Sequence, residues 1–157
     1  MAMARQAHYR RPGFFTRNVF NNVVAGLTRI GVSVWGSRVL EVKGRSTGET
    51  RRTPVNLLTV DGVQYLVSPR GHSNWVRNVP ADSGNLVLVL GRRRQAMVGT
   101  ELADADAAKV AVLRAYLRRW KAEVGIFFEG VGPDSSDAEL AAIAPKHPVF
   151  RLSPAAR

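Results

Sequence analysis

The residues best suited to chemistry crowd into one short segment, Gly44-Arg45-Ser46-Thr47-Gly48-Glu49-Thr50-Arg51-Arg52-Thr53-Pro54. Its two glycines let the backbone turn sharply, Ser46 and Thr47 offer hydroxyls, and Arg45, Arg51 and Arg52 offer charged, planar donor forks. Such a loop can surround a phosphate with main-chain and guanidinium N–H groups. The GK[ST] ending of a Walker A loop is absent, and composition alone leaves anion binding and a solvated hairpin loop both open. Other chemistries have less to work with. With no cysteine there is no thiolate nucleophile or Cys-ligated metal, and His8, His72 and His147 stand apart with no carboxylate cluster. Glu123, Glu129, Asp134 and Asp137 show no distinctive arrangement for paired-carboxylate hydrolysis. His72 reads as a solvated loop histidine, and Arg92, Arg93 and Arg94 as a solvated hairpin tip.

Charge points the same way. The chain has 157 residues and a net charge of +11, and the first hundred residues hold 14 Arg and 1 Lys against only Glu41, Glu49, Asp61 and Asp82. Arginine suits phosphate and carboxylate better than a lysine point charge does. Nucleic acid, an anionic membrane surface and an anionic small molecule are the candidate partners. Nucleic acid lacks a motif, because no helix-turn-helix or RNP pattern occurs and aromatics are sparse in the basic loops. No run approaches the roughly 18 apolar residues of a membrane span, and the first 13 residues carry Arg5, Arg10 and Arg11 without a signal-peptide core. A cytoplasmic location is the expectation.

Positioning these groups requires a compact domain, and 45% hydrophobic residues supply its core. Residues 14–30 space Phe15, Val19, Val23, Leu27 and Ile30 by three or four, which predicts an amphipathic helix. That helix packs on the domain or, given its basic flank, lies against lipid at the membrane periphery. From Val39 the period changes to two. Strands are expected over residues 39–42, 54–60, 63–68, 85–90 and 95–102, with a type I′ hairpin turn at Asp61-Gly62. Residues 71–84 read as a loop with one or two helical turns. Asp104 or Asp106 caps a helix through Val110, Leu113, Leu117, Trp120 and Val124. A short helix over 138–143 and a strand over 147–152 follow. This is an α+β order with mainly antiparallel connections, and a barrel removes its exposed sheet edges. No Rossmann GxGxxG follows the first strand.

GRSTGETRRTPV, the Asp-Gly hairpin, Ser68-Pro69-Arg70-Gly71 and Asn74-Trp75-Val76-Arg77-Asn78 together resemble the deazaflavin-dependent nitroreductase family, also called the F420H2-dependent quinone reductase family. The likeness spans residues 39–152 and is specific over 44–78. It implies a split β-barrel, FMN-binding split-barrel-like, at 38–152. Composition and periodicity add a flexible basic N-terminus at 1–13 and a helix at 14–31, making a single domain over 1–157. The likeness implies coenzyme F420 as cofactor, with FMN or FAD as alternatives in related barrels. Matched position by position, Arg45, Ser46, Thr47, Arg51, Arg52, Thr53, Pro54 and Val55 fall where the family holds the phosphate and ribityl chain. Val67, Ser68, Pro69 and Arg70 fall along the deazaflavin ring, and Asn74, Trp75 and Asn78 in the cofactor segment that follows. Ser46 stands where the family often has Lys, and Arg52 can compensate.

The resemblance implies hydride transfer to a hydrophobic, electron-poor acceptor: a quinone, an enone or a nitro compound. Family nitroreductases carry tyrosines after the long helix, whereas this chain reads Val124-Gly125-Ile126-Phe127-Phe128. Phe127 and Phe128 are therefore expected to wall an apolar pocket for quinones or enones, with no catalytic residue or metal assigned. The competing readings are a noncatalytic F420- or flavin-binding protein and a basic module for anions or membrane surfaces. Both a monomer and a homodimer remain open.

Overall fold

The computed structural model describes residues 36–156, so the expected helix at 14–30 and His8 lie outside the described residues. Six strands, β1 (Ser37–Lys43), β2 (Thr50–Val60), β3 (Val63–Val67), β4 (Asn85–Leu90), β5 (Arg93–Glu101) and β6 (Val149–Pro154), form a closed antiparallel barrel. Their order around it is β1-β2-β3-β6-β5-β4. Three α-helices join them: α1 (Asn74–Ala81), α2 (Ala107–Val124) and α3 (Asp137–Ile143).

Period-two patterning sorts the strand residues between two cores. Leu40, Val42, Leu57, Leu66, Leu86, Leu88, Met97, Phe150 and Leu152 fill the barrel, and Trp75, Val76 and Val79 of α1 plug one end of it. Leu58, Tyr65, Val67 and Val149 face outward and meet Leu113, Tyr116, Leu117 and Trp120 of α2. Trp120 is core, as its spacing predicts, and is 1% exposed.

The Asp61-Gly62 turn has positive φ at both residues, 50° and 78°, as a type I′ hairpin requires. Asp106, rather than Asp104, caps α2 by accepting from Ala108 N at 2.9 Å. Three strands start earlier than expected, β1 at Ser37 among them. β2 begins at Thr50, so Arg51, Arg52 and Thr53 are strand residues opposite Val42, Glu41 and Leu40. β5 begins at Arg93, which shortens the β4–β5 turn and puts Arg94 opposite Val89 on the barrel wall. Runs of arginine look like loop composition in a single sequence, while the ladder hydrogen bonds depend only on the backbone. Residues 71–84 hold a full eight-residue helix, α1.

Candidate functional site

A cleft of about 640 Å³ opens where the β1–β2 hairpin meets α1, lined by Gly44, Arg45, Ser46, Thr47, Thr50, Arg51, Arg52, Thr53, Asn74, Trp75 and Asn78. The hairpin loop is built on its own backbone: Gly44 N donates to Glu49 O and Gly48 N to Gly44 O, both at 2.8 Å. Gly48 takes φ +73°, which only glycine adopts without strain. Asn78, 3% exposed, ties this loop to α1, its Oδ1 accepting from Arg45 N at 3.1 Å and from an Arg45 Nη at 2.8 Å.

The three cleft arginines are held differently. Arg45 is fixed by the neutral Asn78 amide. Among the described residues Arg51 meets Glu49, at 3.8 Å, with both side chains exposed to solvent. Arg52 Nε donates to Glu41 at 2.7 Å, and Arg94 binds the other oxygen of the same carboxylate. Arg94 is thus paired, which corrects the expectation of a solvated hairpin tip there. Burial pushes the Glu41 carboxyl up, but its bonds to Arg94 and Arg52 outweigh this and hold it below the ordinary carboxylate value.

The segment after β3 is ordered by Ser68, whose hydroxyl donates to Gly71 O, while Ser68 N donates to Pro148 O at 2.9 Å. Val67 and Ser68 are buried, and Pro69 and Arg70 are half-buried. The Arg70 guanidinium lies 5.6 Å from the Phe127 ring, joining this loop to the 3-10 turn at Gly125–Phe128. Phe128 is not available as a pocket wall. It is fully buried, packs on Tyr116 and stacks on His147 at 4.0 Å, because its neighbour Phe127 takes the outward position of the turn. His72 is half-buried rather than solvated; its Nδ1 has no hydrogen-bond partner among the described residues, and burial lowers its pKa from 6.5. Among the described residues no group of His, Asp and Glu is arranged to hold a metal ion.

Residues 16–124 match the F420H(2)-dependent quinone reductase family. The chain belongs to that family. Its cofactor is coenzyme F420, and the chain is accordingly an F420-dependent oxidoreductase. An F420-H2 dependent reductase, FDR-A, aligns with a TM-score of 0.51 at 17% identity over 78% of this chain and 100% of its own. A structure described as a domain-swapped dimer aligns at 0.53 and 16% identity, covering 91% and 100% of the two chains. General stress protein 26 from Bacillus anthracis str. Sterne aligns at 0.50 and 13% identity, covering 85% and 89%. At these identities the likeness speaks for the fold, which is the split barrel. No protein of curated function is significantly similar in sequence. No helix among the described residues is long and apolar enough to cross a membrane.

The donor set of this family member fits the anionic part of F420: three guanidiniums, four hydroxyls and two amides line the cleft, and no carboxylate does. The cleft gathers nine of the expected cofactor residues: Arg45, Ser46, Thr47, Arg51, Arg52, Thr53, Asn74, Trp75 and Asn78. Pro54 and Val55 continue along β2 beyond its lining, and Val67, Ser68, Pro69 and Arg70, at the end of β3 and in the segment leading to α1, are also outside it. Gly44 and Thr50, both inside the segment read as a candidate anion loop, also line it, though neither was assigned to the cofactor. Glu41 was also missed, although a lone acid inside the apolar run Val39-Leu40-Glu41-Val42 is a readable signal of a buried ion pair.

Proposed function

We propose that the cleft holds the phosphate and adjoining chain of F420, and that the enzyme reduces a hydrophobic, electron-poor acceptor, a quinone or an enone. The observation that carries this reading is the convergence of Arg45, Arg51 and Arg52 on one cleft without a carboxylate in its lining. When bound, reduced F420 supplies a hydride from its C5 carbon. The chain's own residues bind, orient and exclude. Arg45, Arg51, Arg52 and the hydroxyls of Ser46, Thr47 and Thr53 hold the anion, while Asn74, Trp75 and Asn78 form the facing wall. The backbone of Val67, Ser68, Pro69 and Arg70, stiffened by the Ser68–Gly71 bond, runs along the ring.

The Ser68 hydroxyl proton is already engaged with Gly71 O, and residues 125–128 carry no hydroxyl, so neither segment offers a proton donor and water would supply the proton that completes the reduction. Phe127, half-buried under Arg70, and Ile126, 67% exposed, give the acceptor side an apolar face. This favours quinones and enones over bicyclic nitroimidazoles. A homodimer fits the fold as well as a monomer does, since one similar structure is a domain-swapped dimer, and sedimentation decides between them.

Titration with F420, FMN and FAD tests the cofactor assignment, with F420 expected to bind tightest. Arg51→Ala should weaken F420 by about tenfold or more, the worth of one charge-assisted contact. Its melting temperature should not move, because Arg51 is exposed. Unchanged affinity in that variant removes the phosphate assignment. Tight F420 binding with no turnover of quinone or enone removes the acceptor assignment.

A further inference from the structure

We propose that Glu41 is a positioning residue of the anion cleft: it occupies the Nε side of Arg52 and so reserves the two Nη groups of that guanidinium for the bound anion. The proposal rests on the cleft being the F420 site. Leu40 and Val42 point into the barrel, so Glu41 lies on the outer face of β1, yet it is only 5% exposed. The β1–β2 register sets it directly opposite Arg52, whose Nε it receives at 2.7 Å. Arg94 reaches it from β5, beyond β4 on the other side of β1, so one carboxylate braces the cleft wall against strands on both flanks.

Stability is a weak account of this arrangement. A buried ion pair is often matched or bettered by apolar residues of the same volume, because desolvating the charges offsets their attraction. The pair instead gives a fixed direction to a long side chain. Arg52 is 58% exposed and makes no other hydrogen bond or ion pair among the described residues. Without Glu41 it would sample many rotamers and lose that freedom on binding an anion. Arg45 is fixed in the same sense by Asn78.

Removing Glu41 has a second effect of opposite sign, since it deletes a negative charge near a polyanion. That effect is through-space and screened, with a Debye length of about 8 Å at roughly 0.15 M salt. Loss of a fixed donor pair is local and survives salt. The two are separable by working at or above that ionic strength.

The test is a double-mutant cycle on the full chain with E41Q, R52Q and E41Q/R52Q, reading KM for F420H2, kcat with a quinone and melting temperature at about 0.15 M salt. E41Q should raise KM by about tenfold with kcat within about twofold, and should add nothing further in the R52Q background. R52K supplies the same answer if E41Q does not fold. A lysine keeps the charge but cannot serve Glu41 and the anion from opposite sides, so its KM should approach that of R52Q. The proposal is overturned if E41Q has the wild-type KM, if E41Q acts equally with and without Arg52, if kcat falls as KM rises, or if R52K behaves as wild type. Should R51A and R52Q both leave KM for F420H2 unmoved, the cleft assignment itself is wrong, an outcome distinct from E41Q alone being silent.

Discussion

His72 and Glu41 titrate in separate windows, and both signs follow from the environment. Burial depresses the His72 pKa below 6.5, with Glu101 and Asp104 opposing and Arg77 and Lys109 reinforcing the shift. The folded chain therefore binds fewer protons than the unfolded one as pH falls. Its contribution to stability is full above about pH 6.5 and is lost as pH drops through the folded value. His72→Gln should flatten the melting temperature against pH below 6.5, and an unchanged slope would show that another group titrates there. Glu41, also depressed, contributes fully above its ordinary value of 4.5 and loses that contribution only in more acid solution. At the same scale, Asn78→Ala deprives two Arg45 donors of their acceptor. The expected result is a stability loss of about 1–2 kcal/mol by denaturant unfolding, together with weaker F420 binding, because the Gly44–Glu49 loop is no longer tied to α1.

At the scale of elements, backbone geometry decides which positions tolerate change. Gly84 precedes β4 at φ +84°, and a Cβ there would stand 2.6 Å from Gly99 O. Gly84→Ala combines left-handed strain with a backbone clash, so a loss above about 2 kcal/mol is expected in chemical denaturation; a smaller loss would mean that β5 can shift away. Gly48, with φ +73° and nothing within 4 Å, should lose only the strain term on the same substitution. The Asp61-Gly62 hairpin, the Asp106-capped helix and the alternation of Asn85–Leu90 were legible in the sequence because each is encoded locally. The start of β2 and the pairing of Arg94 were not, because both depend on register. Only once Lys43 is set opposite Thr50 does Glu41 face Arg52. Phe127 and Phe128 were likewise indistinguishable until the turn at Gly125–Phe128 sent one ring outward and the other into the core. The cleft residues were readable through the family motif, while their convergence depended on α1 folding back across the hairpin.

For the whole molecule, charge and topology each carry a consequence. A net charge of +11 and a polyanionic cofactor predict that the F420 dissociation constant rises steeply with salt, chiefly through a slower association rate. Stopped-flow measurements at two ionic strengths check this, and a salt-independent rate would assign the excess charge to some other purpose. The strand order has a different consequence, one of timing. Every residue of the cleft has been made once Asn78 has been made, but β1 closes on β4, and β3 has no second neighbour until β6 arrives, pairing Gln64 with Leu152 and Val67 with Val149. Contacts that far apart in sequence are slow to form. A nascent chain stopped before Val149 would carry the complete set of cofactor ligands on an open sheet. It should gain neither protease resistance nor F420 affinity until the β6 residues are added, so synthesis of this enzyme would yield a binding site only once β6 has been made.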